Sequence, residues 1–196
     1  MTTGRRSLRD ALLDAFAELL PLRGYRGVRM QDVADAVGVS RQTVYNEFGD
    51  KWGLAQALMI RRNEQYLDGI DQVFRRHDDL YEAVAAAVAY TLEMSADDPV
   101  SKAVLTGSGG EELLPLMTTQ AEPVLFGART RLIEHVAAQW PQLDRRALAE
   151  VADAAIRLTM SHMLLPADPP EQVARQIARM VARYLGEPCP PPKVRQ

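Results

Sequence analysis

Ser40, Arg41, Gln42, Thr43, Tyr45 and Asn46 crowd hydrogen-bonding side chains into one short stretch, interrupted by Val44. No nucleophile frame or acid–base pair accompanies them, so the chemistry open to them is non-covalent recognition through donors and acceptors. Their setting is specific. The stretch Val28 to Lys51 reads as two short amphipathic helices joined by the turn Gly38-Val39-Ser40. In such a unit the second helix fits the major groove of DNA. Three local signals agree on the turn. Ser40 stands where an N-cap belongs, Val39 and Val44 have the spacing of a hydrophobic staple, and Gly38 suits a left-handed end to the preceding helix.

The elements that must position these residues are helical throughout. Alternating runs bounded by hairpin turns are nearly absent, while helical periodicity recurs. A first helix is expected over 7–22, with Leu8, Leu12, Ala15, Phe16, Leu19 and Leu20 on one stripe and Gly24 ending it. The next two are expected over 30–37 and 41–48, packing through Met30, Val33, Ala34, Val37, Val44 and Phe48. Gly49 stops the third, and Asp50 caps a long fourth helix from Lys51 to about Arg75. Further helices are expected over 80–95, from Pro99 to the glycine-rich loop 107–110, over 113–139 with a break near Pro115 or Pro123, over 144–164 and over 171–185. The expected fold class is all-α, about nine helices: a three-helix head and a larger helical body. The expected domains are 1–50 for DNA binding, 51–187 for ligand binding and dimerisation, and a Pro-rich tail over 188–196.

Charge and cysteine content fit this division. The net charge of −3 separates into ten Lys/Arg against seven Asp/Glu in residues 1–62, and thirteen against nineteen in 63–196. A basic head on an acidic body is compatible with DNA binding, since affinity depends on the local field. One cysteine, Cys189, excludes an intrachain disulfide framework and a thiolate metal cluster. No apolar run is long enough to span a bilayer, and a cytoplasmic location is expected, with no membrane partner. His77, His135 and His162 lack metal-ligand spacing, and Ser108 lacks a nucleophile frame. No metal, no cofactor and no enzymatic activity are expected.

The first 58 residues resemble the tetracycline-repressor-like (TetR) family of bacterial transcription regulators, with a flavour of its actinobacterial members. The match lies in Gly24-Tyr25, Asp32-Val33-Ala34, Gly38-Val39-Ser40, Thr43-Val44-Tyr45, Phe48, Lys51 and Leu54. The resemblance implies that Arg41, Gln42 and Asn46 face base edges, where arginine can pair with guanine and glutamine with adenine. It implies phosphate contacts for Arg29, Ser40, Thr43, Tyr45 and Lys51. Arg29 departs from the usual threonine and cannot cap in the same way. Arg5 and Arg6, in the N-terminal arm, are candidates for backbone or minor-groove contact.

For the body, the resemblance implies a ligand-binding and dimerising domain. Candidate pocket residues are Tyr66, Phe74, Tyr90, Met94, Met117, Phe126, Trp140 and His162, whose character favours a small apolar, lipid-like effector. The last two helices carry apolar stripes, Leu148, Val151, Ala155, Leu158 and Thr159 in one, Val173, Ile177, Met180, Val181 and Tyr184 in the other. The resemblance implies that both meet their symmetry mates in a four-helix bundle. The expected whole is a homodimeric repressor released from a palindromic duplex operator by its effector, with a ligand-insensitive architectural DNA binder as the alternative.

Overall fold

The computed structural model describes residues 7–105 and 111–191, with the side chains of Leu105 and Glu111 excepted. Arg5, Arg6, the loop 107–110 with Ser108, and the last five residues of the tail lie outside the described residues. The described chain holds helices α1 (Leu8–Gly27), α2 (Met30–Val37), α3 (Arg41–Phe48), α4 (Lys51–Phe74), α5 (Leu80–Asp97), α6 (Pro99–Leu105), α7 (Leu114–Met117), α8 (Glu122–Gln139), α9 (Arg145–Leu164) and α10 (Pro170–Tyr184). A 3-10 turn, Glu111–Leu113, precedes α7. Among the described residues there is no strand.

The helices form two compact units. The first comprises the described residues through Arg62 together with Asp97–Ala121, and the second comprises Asn63–Ala96 with the described residues from Glu122 on. α4 therefore contributes to both. By contact the division falls at 62/63, inside α4, whereas periodicity and caps suggest 50/51. Segment 97–121 groups with the head. Its sequence shows only short helical pieces, whose neighbours cannot be read from pattern.

In the first unit the core is built by Leu12, Phe16, Leu20, Val28, Val33, Val44, Leu54 and Leu58, each almost fully buried. Ser7 caps α1 by accepting the Asp10 amide at 3.1 Å. α1 continues past the expected Leu22 to Gly27, but its ladder is broken at Gly24, which sits at φ 66°. The glycine ends regular helix as expected, and a further turn follows it. Arg61 ties α4 back to α1, with Asp14 Oδ1 at 2.9 Å and the Asp10 carbonyl at 3.1 Å.

In the second unit α5 and α10 supply much of the core, including Leu80, Tyr81, Val84, Val88, Leu92, Val173, Ala174, Ile177, Ala178 and Val181. The expected helix over 113–139 is interrupted at 118–121, and Pro123 opens α8 in its first turn, where a missing amide hydrogen costs nothing. Asp144 caps α9 through the Ala147 amide at 2.9 Å.

Candidate nucleic-acid interface

The turn before α3 forms as its residues require. Gly38 takes the left-handed conformation (φ 79°, ψ 35°), which leaves its amide and that of Val39 bonded to Ala34 O at 2.9 and 3.0 Å. With the longer bond from Gly38 to Asp35 O, this is a Schellman closure of α2. Ser40 follows in extended geometry, and its hydroxyl accepts the Thr43 amide at 3.1 Å. Val44 is the one buried residue of α3, so this helix is held by its ends as much as by its core face.

At the far end Gly49 (φ 78°) donates to Tyr45 O at 2.8 Å, and Asp50 caps α4 through the Gly53 amide at 2.7 Å. Arg9, which the sequence reading did not single out, reaches this end from α1. Its guanidinium pairs with Glu47 Oε1 at 2.8 Å and lies 4.7 Å over the Phe48 ring. A cation belongs there, where α3 presents unpaired carbonyls. No local spacing links residues 38 positions apart, so pattern could not reveal it.

The outward face of α3 is polar and paired with itself. Arg41 Nη2 donates to the Tyr45 hydroxyl at 2.8 Å, and its guanidinium stacks 5.1 Å from that ring. One position along, Gln42 Nε2 donates to Asn46 Oδ1 at 2.8 Å. The hydroxyls of Ser40 and Thr43 share a hydrogen bond of 2.8 Å. Arg41, Gln42 and Asn46 are exposed, while Thr43 and Tyr45 are half-buried. The structure thus brings the base-reading candidates onto one accessible face.

Arg29 is the N-cap of α2, exposed, and without an acceptor atom to serve the orphan amides. Asp32 acts from the other side instead, its carboxylate accepting the Arg29 amide at 2.7 Å and pairing with Arg23 at 3.2 Å. Lys51 is placed differently from the other phosphate candidates. Its ammonium is turned inward, donating to Tyr25 O at 2.8 Å and Val28 O at 3.2 Å, 4.3 Å from the Tyr25 ring centre. Burial, then the carboxylates of Asp50 and Glu112, push the Tyr25 phenol above its ordinary pKa, so it stays neutral beside that cation.

A polar, accessible helix face on a capped helix-turn-helix is a surface for duplex DNA, and the comparisons agree. Residues 12–58 match the model for bacterial regulatory proteins of the tetR family, and residues 79–183 match that for the bacterial tetracyclin repressor C-terminal domain. The chain belongs to the TetR family. It is a DNA-binding transcription regulator and not an enzyme. It is 33% identical to the HTH-type transcriptional regulator AlkX of Mycobacterium tuberculosis over 181 residues, 92% of this chain and 86% of the relative. It is 32% identical to the crystal structure of the TetR family repressor AlkX from Dietzia sp., implicated in biodegradation of n-alkanes. That likeness covers 93% of this chain and 98% of the other, with a TM-score of 0.79. RolR without ligand, at 18% identity and a TM-score of 0.65 over 92% of this chain and 98% of that one, shares the fold.

The body candidates of this TetR-family chain separate. Phe74 and Trp140 are buried and meet edge to face at 6.1 Å, and the indole N–H donates to Asp78 O at 3.2 Å. Tyr90 is half-buried with its hydroxyl against the α4 backbone at Gly69, where even a Cβ would collide at 2.0 Å. Tyr66 and His162 are half-buried, whereas Met94 and Phe126 are exposed, Phe126 by 71%. Met117 is buried in the first unit.

A charged cluster in the second unit escaped the sequence reading. Arg131 holds Asp71 Oδ2 at 2.5 Å and Asp68 Oδ1 at 2.6 Å, while His135 Nδ1 lies 3.2 Å from Asp71 Oδ1. These bonds to carboxylates raise the Arg131 pKa further above its ordinary range. The i,i+3 pair 68/71 and the i,i+4 pair 131/135 are the signal that was available.

The apolar stripes of α9 and α10 are spent largely within the chain. Leu148, Val151, Val173, Ile177 and Val181 are buried in the unit's own core, Ala155 and Met180 are half-buried against it, and Thr159 is buried with its hydroxyl donating to Ala155 O at 2.8 Å. Leu158 and Tyr184 are exposed. A stripe at helical spacing shows that a helix has an apolar neighbour, without saying which chain supplies it. Among the described residues no group of His, Cys, Asp and Glu is arranged to hold a metal ion, and no helix is long and apolar enough to cross a membrane.

Proposed function

We propose that the protein is a homodimeric cytoplasmic repressor whose paired α3 helices hold a palindromic operator until a small apolar effector releases it. The observation that carries this reading is the exposed Arg41, Gln42 and Asn46 face, flanked by the half-buried Tyr45, on a helix fixed at both ends. Arg41, Gln42 and Asn46 read base edges, exchanging their exposed intrahelical bonds for bonds to DNA. Arg29, Ser40, Thr43 and Tyr45 set the register on phosphates.

Dimerisation would use what α9 and α10 leave uncovered. Leu158 and His162 stand one turn apart on α9, with Leu158 exposed by 40%, and Leu165 just past the end of the helix is exposed by 77%. An apolar effector is supported by the likeness to AlkX, a repressor implicated in n-alkane biodegradation, and by the aromatic interior around Phe74 and Trp140. Release requires the effector to bind more tightly to the form that does not fit the operator. α4, which belongs to both units, offers a covalent route for that preference.

The test is selection of duplexes from a random pool with purified protein, repeated with n-alkanes and fatty acids added. A palindromic site lost on adding an apolar compound is expected. An asymmetric site bound by monomers, or release by polar compounds alone, would count against the reading.

A further inference from the structure

We propose that Lys51 is a positioning residue for DNA binding, not a phosphate ligand: it clamps the α1–α2 turn to the start of α4. The inference rests on the DNA-reading role of α3 argued above. A lysine ammonium has three N–H donors. Here two are spent on the carbonyls of Tyr25 and Val28, and the Tyr25 ring faces the charge at 4.3 Å.

Those two carbonyls need this partner. The amide that would bond Tyr25 O in a continuous helix is that of Arg29, and it donates to the Asp32 carboxylate instead. The corresponding amide for Val28 O is that of Asp32, and it donates to Arg29 O at 3.0 Å. Gly24, at φ 66° and ψ 166°, has already broken the ladder one residue earlier. The turn therefore presents two carbonyls that the backbone of α1 and α2 cannot serve. Val28 itself is 1% exposed. An unmade bond at such a site costs the desolvation of the group.

The clamp bears on recognition because of its place in the chain. Lys51 stands two residues past the Gly49 stop of α3 and one past the Asp50 cap of α4. Fixing it against the Tyr25–Val28 turn fixes where α3 leaves off relative to α1 and α2. A phosphate contact that kept both carbonyl bonds would have only the third N–H left to it, with the Tyr25 ring 4.3 Å from the same charge. Charge at this position then serves geometry, and the two roles differ in their salt dependence. A lysine that neutralises a phosphate contributes about one unit to the slope of log affinity against log salt.

The experiment measures operator affinity of the parent, Lys51→Met and Tyr25→Leu across a salt series, with thermal melts beside it. Tyr25→Leu removes the ring and leaves every charge in place, and it keeps the test alive where Lys51→Met fails to fold. The expected result for Lys51→Met is affinity lower by about tenfold or more per folded molecule, a lower melting temperature and an unchanged slope. Tyr25→Leu should lose several-fold in affinity, again at unchanged slope. A slope reduced by about one in Lys51→Met, or parental affinity in either folded variant, would overturn the proposal. Arg41→Ala and Tyr45→Ala serve as controls on the underlying reading. Parental DNA binding in both would sink that reading, whatever the Lys51 result.

Discussion

α3 buries a single side chain, Val44, while α10 buries six of its fifteen residues: Val173, Ala174, Ile177, Ala178, Val181 and Ala182. The first helix owes its place to ends: the Ser40 cap, the Gly38 closure before it, the Gly49 stop and the Arg9 clamp. The second owes its place to burial. A helix held by its ends can leave a whole face for a partner, whereas a helix held by burial has spent the face that makes it conspicuous. For that reason α3 declares its task and α10 does not.

The contrast can be attacked from both sides, beginning with the largest effect. Ile177→Ala should lower the stability of the chain by about 2–5 kcal/mol in urea unfolding, because a side chain 3% exposed leaves a cavity. Arg41→Ala should leave stability within about 0.5 kcal/mol and cost about 1–3 kcal/mol of discrimination at one base position in binding-site selection. If the two substitutions behaved alike in both assays, the division between end-held and burial-held helices would fail.

The ends of α3 give the intermediate effects. Gly38→Ala places a side chain at φ 79° in open space, so strain alone should cost about 1–2 kcal/mol by denaturant midpoint. Ser40→Ala should cost about 1 kcal/mol, with weaker DNA binding, since it removes the acceptor for the Thr43 amide. Smallest is Arg146→Ala on α9, whose partner Glu150 lies across an exposed i,i+4 pair at 3.2 Å. Its effect should be at most about 0.5 kcal/mol and should vanish in high salt.

The same contrast explains what the sequence disclosed. α2 and α3 begin and end at the residues expected, since caps and left-handed glycines act within one turn of the chain. The all-helical class was legible from periodicity. Segment 97–121 was not assignable to the head, because the pairs Arg62–Asp98 and Arg26–Glu112 join residues far apart in sequence. The inward bonds of Lys51 were not legible, since only the fold reveals that the Tyr25 and Val28 carbonyls lie within its reach. The stripe that includes Leu148 and Val151 was legible as apolar, but not that these two side chains join this unit's own core.

Selection of duplexes from a random pool by the parent and by Arg41→Ala tests the central claim most directly. The account predicts that the parent enriches a two-fold symmetric site and that the variant loses the preference at one base pair in each half, with the remaining positions unchanged. An identical enriched site from both proteins would contradict it.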